Sequence, residues 1–127
     1  MIQELDIKNY DDLIDLFDAV EKVHAELFPD ATIETQCAKF SEEYNEMQEA
    51  AEQRDEIQIK NEAADCFIVA AGIHRFNHAV GYILFKVLCD GIPDNYEFAE
   101  AIINKMNKNI KRKWDNKNGY YKHTTLN

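Results

Sequence analysis

An eleven-residue stretch in the middle of the chain, 63–73, limits the possible folds more than any other feature. It reads Ala-Ala-Asp-Cys-Phe-Ile-Val-Ala-Ala-Gly-Ile, so as a helix it is apolar on every face except at Asp65. A helix that is apolar all round has to be buried by neighbours on all sides. Its unbroken apolar run, Cys66 to Ile73, is far shorter than the roughly 18–20 residues that span a bilayer. The segment is therefore predicted to be a buried helix of a soluble, mainly helical protein.

The flanking sequence supplies helices that would surround this segment. A first helix is predicted at about 10–27, ended by Pro29, and a second is predicted to begin after Thr32 as its N-cap. The inward seam of the second helix is predicted to comprise Ile33, Cys37, Phe40, Tyr44, Met47 and Ala51. A third helix follows at 56–76, the stretch 79–89 continues it or forms a short fourth, and a last helix covers about 94–114. We expect an all-α, four- to five-helix up-and-down bundle, with residues 1–127 forming one domain.

Composition excludes several other classes. With 4 Gly and 2 Pro, the chain lacks the turns that a β-sandwich or barrel requires. The first residues are neither basic nor apolar, so no signal peptide is expected. The three cysteines, Cys37, Cys66 and Cys89, are far apart and odd in number, so they are predicted to be reduced and mostly buried thiols. Together these features favour a cytoplasmic protein and no membrane partner.

Charge is divided unevenly along the chain. The net charge is −10, and residues 1–65 hold 19 of the 24 acidic residues but only 5 of the 14 Lys and Arg residues. A nucleic-acid-binding domain usually presents a basic face, so nucleic acid is not an expected partner. An acidic first half with a basic second half suits a small anion whose charge is bridged by metal ions. The more general explanation, a solvated charged surface, also fits such charge runs.

Two pairs of acidic residues stand on successive predicted helices. Glu43 and Glu46 form the first pair, and Glu62 and Asp65 form the second. Residues three apart lie one turn apart on the same side of a helix, with about 5–6 Å between their Cβ atoms. Two short antiparallel helices would bring the pairs face to face.

Asp65 makes a metal ion the favoured explanation for these acids. A buried ionised carboxylate without a partner costs several kcal/mol. No Lys or Arg lies within helical reach of Asp65, and the neighbouring acids would add repulsion. A divalent cation would remove both difficulties, and ligands that are all oxygen indicate Mg²⁺ or Mn²⁺. An exposed acidic face without any metal is the alternative.

These motifs, in this order, resemble those of a known superfamily. Residues 39–47, Lys-Phe-Ser-Glu-Glu-Tyr-Asn-Glu-Met, and 62–68, Glu-Ala-Ala-Asp-Cys-Phe-Ile, look like the E-E-x-x-E and E-x-x-D signature of the MazG-like all-α nucleoside triphosphate pyrophosphohydrolases. That superfamily includes dimeric dUTPases, dCTP pyrophosphatases and phosphoribosyl-ATP pyrophosphohydrolases. Residues 105–112 are similar to its K-x-x-x-N-x-x-R stretch. The resemblance extends over about 20–114.

The resemblance implies an activity, a cofactor and roles for individual residues. It implies a MazG-like bundle that hydrolyses a (deoxy)nucleoside triphosphate to the monophosphate and pyrophosphate with a metal-activated water. The implied ligands of Mg²⁺, with Mn²⁺ as a substitute, are Glu43, Glu46, Glu62 and Asp65, and Glu46 is also the candidate catalytic residue. The implied substrate-binding residues are Lys105, Asn109 and Arg112, which share one helix face. It further implies a homodimer or homotetramer.

Two other functions stay open at this point. The sequence 62–65 also suits a phosphoribosyl-ATP pyrophosphohydrolase, and the acids could instead solubilise a non-enzymatic helical interaction module. Glu21 and His24 have the spacing of one half of a di-iron motif, but no second half is present, so His24 is predicted to be a polar surface or pocket residue. His74 and His78 lack an evident third ligand and are predicted to be ordinary helix-end residues.

Overall fold

The computed structural model describes residues 2–92 and 94–124. Within these ranges the chain forms a 3₁₀ turn, five α-helices and one antiparallel β-hairpin. The turn is Ile7–Asn9, and the other elements are α1 Leu13–Leu27, α2 Ile33–Glu52, α3 Glu56–His74, α4 His78–Gly91, α5 Asn95–Lys111, β1 Trp114–Lys117 and β2 Tyr120–His123. The prediction of a helical fold is confirmed, whereas the two strands were not predicted. None of the helices in the described ranges is long and apolar enough to cross a membrane.

The burial predicted for 63–73 is confirmed by the packing of α3, which lies at the centre of the bundle. This helix contacts α1, α2, α4 and α5, and its residues 66–73 are all buried. Phe67 packs edge-on against Phe17 of α1 and Phe98 of α5, with ring centroids 5.3 and 5.6 Å apart. Every other helix therefore uses α3 to bury its apolar side, as expected for a helix with no polar face.

Local signals set the helix ends. Thr32 caps α2 in a capping box with Thr35, and the Asp94 side chain accepts a hydrogen bond from the Glu97 backbone N–H at 3.0 Å at the start of α5. Asn77 caps a separate α4, so the stretch after α3 forms a fourth helix and does not extend the third. The last helix ends at Lys111, three residues earlier than predicted, because the chain turns into β1.

The inward seam of α2 differs from the predicted one by about one residue. Cys37, Tyr44 and Ala51 are exposed, and the residues facing the protein are Gln36, Phe40, Glu43, Met47 and Ala50. This seam keeps the spacing of 4, 3, 4 and 3 but includes two polar residues. The predicted seam was right at Phe40 and Met47 but wrong at Cys37, Tyr44 and Ala51, because it assumed that every inward position is apolar. Gln36 and Glu43 face inward because a pocket lies there.

A tight turn at 53–55 connects α2 to α3. Arg54 adopts a positive φ of 56°, and the Asp55 N–H donates to the Ala50 carbonyl at 3.2 Å. Asp55 then caps α3, with its carboxylate accepting from the Gln58 N–H. Since so few residues separate the two helices, they run antiparallel and in contact along their length.

The β-hairpin covers the loop between α1 and α2. Asn118 and Gly119, with φ of 54° and 86°, make the two-residue turn in the left-handed region that hairpins favour. A Cβ at Gly119 would lie 2.4 Å from the Asp30 carbonyl oxygen, so glycine also allows this close approach. The Tyr121 ring packs on Phe28, and its hydroxyl accepts from the Asp30 N–H at 3.1 Å. The aromatic tail therefore packs on its own chain.

The cysteines are all free, but they are less uniformly buried than predicted. Cys66 is buried, Cys89 is half-buried and Cys37 is exposed. Burial, followed by the charge of Glu43, raises the pKa of the Cys66 thiol to about 12. This thiol is therefore protonated and unreactive at neutral pH.

Candidate functional site

Three of the predicted carboxylates converge between α2 and α3. Glu43, Glu62 and Asp65 each contribute an oxygen, and these oxygens lie within 4.8 Å of one another. Glu62 is buried, while Glu43 and Asp65 are half-buried. The antiparallel α2–α3 hairpin produces this arrangement, because it sets an inward position of α2 against one turn of α3. We refer to these three residues as the acidic cluster.

Glu46, the fourth predicted acid, lies at the edge of the cluster. It follows Glu43 by one turn of α2 and its side chain is exposed. Its carboxylate is close enough to raise the pKa of Glu62, and it lines a cavity that Glu43 and Asp65 also line. The structure therefore brings all four predicted acids together, with Glu46 nearest to solvent.

The acidic cluster contains less positive charge than negative charge. Burial, followed by the charges of Asp65 and Glu46, raises the pKa of Glu43 from 4.5 to about 8. Burial, a hydrogen bond with Glu46 and the charge of Asp65 raise the pKa of Glu62 to about 7. Burial also raises the pKa of Asp65, although Lys105 opposes this. These shifts mean that ionising the whole cluster is unfavourable unless a cation joins it.

One oxygen of Glu62 has no partner in the described part of the chain. Its Oε1 accepts a hydrogen bond from Gln58 Nε2 at 2.6 Å, whereas its Oε2 is buried and receives none. A buried carboxylate oxygen without a donor is costly and rare in folded proteins. The donor set is entirely oxygen, which is the set that Mg²⁺ and Mn²⁺ prefer. The residues present therefore fit a hard divalent cation.

Lys105 has a different place from the one expected. Its Nζ lies 3.2 Å from Asp65 Oδ2, so Asp65 does have a cationic partner. The expectation that none was within reach considered only α3, whereas Lys105 belongs to α5, 40 residues later in the chain. Lys105 pairs with Asp65 alone, so among the described residues Glu43 and Glu62 keep no ion pair.

The other two predicted substrate-binding residues flank Lys105 on α5. Asn109 is buried, and its Oδ1 accepts a hydrogen bond from Arg112 Nη1 at 3.3 Å. Arg112 is exposed, and its guanidinium group lines the same cavity. The three residues of the K-x-x-x-N-x-x-R stretch therefore stand together opposite the acids.

Glu43 and Asp65 of the acidic cluster border, together with the α5 face, one cavity of about 280 Å³. Its acidic end is lined by Glu43, Glu46 and Asp65, with Lys105 and Arg112 facing them. Its other end is lined by three aromatic residues, namely Phe28, Trp114 and Tyr121. The cavity thus combines a charged end with a flat, apolar end.

The sequence supplies aromatic residues at 114–121 that could close over a base or pack on a partner subunit, but it does not predict their packing on Phe28. Phe28 lies at the centre of the aromatic end, with its ring centroid 4.8 Å from that of Trp114 and 4.9 Å from that of Tyr121. The Trp114 indole N–H donates to the Asn109 carbonyl at 2.9 Å, which fixes the hairpin to α5. Lys39 from α2 places its Nζ 5.9 Å from the centre of the Trp114 ring. The Asn118-Gly119 dipeptide was the only sequence signal for this arrangement, since it is typical of a hairpin turn.

His24 lines this end of the cavity, which agrees with one of the two positions predicted for it. It is 2% exposed, and its Nε2 lies 2.9 Å from Oε1 of Gln36, a residue that is also 2% exposed. The structure also supplies a third group for the other histidine pair, because Glu21 of α1 hydrogen-bonds to His74 Nδ1 beside the stacked His78 ring. His24 and Glu21 both belong to α1, so their contacts with α2 and α3 could not be predicted from residue spacing within a single helix.

Comparison of the chain with protein-family models, with curated proteins and with solved structures found no match. The chemistry of the cavity is therefore the basis for a functional proposal.

Proposed function

We propose that this protein is a divalent-cation-dependent nucleotide pyrophosphohydrolase with a MazG-like helical fold. The substrate would be a (deoxy)nucleoside triphosphate, cleaved with one water molecule to the monophosphate and pyrophosphate. The observation that supports this most directly is the convergence of Glu43, Glu62 and Asp65, of which Glu43 and Asp65 line one cavity opposite Lys105 and Arg112. A triphosphate carries enough negative charge to need both a cation-binding acidic group and basic side chains.

The acids would hold the ion, and the basic face would hold the phosphates. Glu43, Glu46, Glu62 and Asp65 are the candidate ligands of Mg²⁺, or of Mn²⁺ in its place. Bound there, the ion would neutralise phosphate charge and lower the pKa of the attacking water. Lys105 and Arg112 would donate to phosphate oxygens, with Asn109 orienting the Arg112 guanidinium through the hydrogen bond between them. Glu46, the most exposed acid, is the candidate for orienting the water and accepting its proton.

We also propose that the protein assembles as a homodimer or homotetramer, as the resemblance implies. The outer face of α4 exposes Val80, Ile83 and Val87 by 41, 60 and 61%, at positions that lie on one side of the helix. Light scattering should give a multiple of the 14.8 kDa chain mass for the wild type and a smaller species for Ile83→Glu. Ile57→Glu, at another exposed isoleucine, is the matched control. A monomeric wild type would refute this part of the proposal.

A product assay tests the proposed reaction. The purified protein is incubated with Mg²⁺ and a panel of nucleoside and deoxynucleoside triphosphates together with phosphoribosyl-ATP, and the products are separated by ion exchange. We expect pyrophosphate and a monophosphate in equal amounts, and no reaction after EDTA is added. Orthophosphate as the first product, or turnover that survives EDTA, would contradict the proposed cleavage. Turnover of phosphoribosyl-ATP alone would assign the same chemistry to the alternative substrate, and no turnover at all would favour the interaction module.

A further inference from the structure

The His24–Gln36 pair at the aromatic end of the cavity is closely packed against α3. His24 comes from α1 and Gln36 from α2, and the two side chains meet over Gly72 of α3. A Cβ at position 72 would lie 2.5 Å from both Gln36 Oε1 and His24 Nε2. The close approach of three helices therefore holds both side chains in one arrangement.

Arg75 determines the direction of the hydrogen bond between them. Its guanidinium group only donates, and its Nη1 lies 3.1 Å from His24 Nδ1. His24 Nδ1 is consequently the acceptor, and the ring proton is on Nε2. His24 Nε2 then donates to Gln36 Oε1 at 2.9 Å. Burial and the charge of Arg75 lower the pKa of His24 to about 3, so the ring is neutral at physiological pH.

This direction leaves the amide nitrogen of Gln36 facing the cavity. Since Oε1 is fixed by His24, Nε2 cannot exchange places with it. Gln36 lines the cavity and is 2% exposed, and in the described part of the chain its Nε2 donates to no protein acceptor. In the described part of the chain the fully buried polar atom without a partner is Glu62 Oε2, so Gln36 Nε2 is open to the cavity, where a ligand acceptor can take the place of water.

The position of Gln36 matches the far end of a nucleotide. Gln36 and Glu43 share the inward seam of α2 and are seven residues apart, which is about 10 Å along the helix. If the phosphates lie at the acidic cluster, the base lies against the aromatic end of the cavity and points its far edge at Gln36. The atom opposite the glycosidic nitrogen is at position 4 of a pyrimidine and at position 6 of a purine.

We propose that Gln36, oriented by His24 and Arg75, selects nucleobases that carry a carbonyl oxygen at position 4 or 6. This inference rests on the proposed function, and it adds a substrate class to it. Uracil, thymine, hypoxanthine and guanine offer the acceptor that Gln36 Nε2 requires. Cytosine and adenine present an amino group there, so two donors would meet and both would lose a hydrogen bond.

Two matched pairs of substrates test the selection in the unmodified protein. The pairs dUTP with dCTP, and dITP with dATP, exchange the carbonyl and amino groups at the relevant position. We expect kcat/KM to be higher for the carbonyl member of each pair by at least about tenfold, since the mismatch leaves buried donors unpaired. Turnover with a ratio near one in both pairs would overturn the role of Gln36 alone. Absence of turnover and of binding for all four would overturn the proposed function as well.

Substitutions of Gln36 test the mechanism of selection. Gln36→Glu replaces the donor with an acceptor, so the carbonyl-to-amino ratio of kcat/KM should fall below that of the wild type and move toward the amino substrates. Gln36→Met removes the donor while keeping the length of the side chain, and the ratio should approach one. Gln48→Glu, an exposed site on the same helix, should keep the wild-type ratio. A wild-type ratio in a folded Gln36→Met protein would refute the proposal, and if neither Gln36 variant folds, the wild-type substrate pairs still decide it.

Discussion

The two ends of the cavity both bury ionisable groups, but they compensate for burial in different ways. At the aromatic end, His24 is neutral and each ring nitrogen has a protein partner, Gln36 on one side and Arg75 on the other. At the acidic end, Lys105 pairs with only one of the three carboxylates, and a buried oxygen of Glu62 has no donor in the described ranges.

The difference indicates what each end is suited to do. A buried group whose hydrogen bonds are all made within the protein has a fixed position, and it can in turn position a neighbour. Carboxylates whose charges are not matched within the protein gain stability from a ligand that supplies the charge. We therefore expect the acidic end to respond to divalent cations and the aromatic end to respond to changes in packing.

The largest effect should come from removing an acid at the charged end. Glu62→Gln keeps the shape and the acceptor for Gln58 but removes a candidate cation ligand. We expect kcat for triphosphate hydrolysis to fall by about 100-fold or more, since even outer-shell partners of metal ligands contribute 10–100-fold. Steady-state kinetics at saturating Mg²⁺ measures this change.

The matched control for that substitution is Glu49→Gln. Glu49 is exposed on α2, one turn beyond Glu46, and lies outside the cavity. Its replacement should leave kcat within about twofold of the wild type, since surface changes away from such features have small effects. Equal losses of kcat in the two variants would show that the overall negative charge of the protein matters and that the position of Glu62 does not.

The second effect tests the tight packing at the other end. Gly72→Ala should lower the free energy of unfolding by about 1–3 kcal/mol, because its Cβ would collide with His24 and Gln36. Urea denaturation followed by circular dichroism measures the change.

Gly91→Ala provides the comparison for that substitution. At Gly91 an added Cβ meets no atom of the described residues within 4 Å, and the backbone φ is not positive. We expect its stability to be unchanged or raised by up to about 1 kcal/mol. If Gly72→Ala were as stable as Gly91→Ala, the His24 and Gln36 side chains would have room to move away from an added Cβ at position 72.

The two ends should give opposite dependences of stability on pH when no divalent cation is present. The folded pKa values of Glu43 and Glu62, about 8 and about 7, lie above their ordinary 4.5, so the folded state holds protons that the unfolded state has released. Their contribution to stability is therefore complete below pH 4.5 and is lost as pH rises toward 8. The folded pKa of His24, about 3, lies below 6.5, so its contribution is present above pH 6.5 and is lost as pH falls toward 3.

Thermal unfolding between pH 4 and pH 9 in EDTA measures both slopes. Glu43→Gln should flatten the alkaline side and leave the acidic side unchanged. Mg²⁺ should raise Tm more at pH 8 than at pH 6, because the carboxylates must lose protons to bind it. A Tm that rises steadily from pH 6 to pH 8 in EDTA would contradict the charge deficit at the acidic end.

The smallest effect concerns the hairpin that closes the aromatic end. Tyr121→Phe removes only the hydroxyl that accepts from the Asp30 N–H at 3.1 Å, so the free energy of unfolding should fall by about 1 kcal/mol. Tyr120→Phe removes the hydroxyl that donates to the exposed Glu42, and it should change stability by less. Chemical denaturation measures the free energy of unfolding of both variants. An equal loss in the two would show that the hydrogen bond of Tyr121 contributes no more to stability than the exposed one of Tyr120.

Much of the helical structure was predictable because it depends on neighbours along the chain. Thr32 and Asp94 cap helices through backbone groups three residues away, and the apolar run after Asp65 can only be buried. The two acidic pairs were predictable for the same reason, since their spacing follows from one helical turn. Their meeting required only a short turn between α2 and α3.

Other features of the site depend on partners far away in the sequence. Lys105 reaches Asp65 across 40 residues, and Arg75 reaches His24 across 51. The inward position of Gln36 was missed because a polar residue on a helix is assigned to solvent unless a partner is known. The hairpin was also missed, although it could have been predicted locally, because the Asn118-Gly119 dipeptide is a turn signal.

The sequence by itself determined which segments become helices, which helix is buried and which acids share a helical turn, because these follow from local geometry and from the burial of apolar surface. Only the tertiary structure decided that the α5 basic residues face those acids and that His24 orients Gln36 over Gly72. Such contacts depend on how α1, α2 and α5 rotate against α3, and this rotation is set by the packing of all the side chains at once.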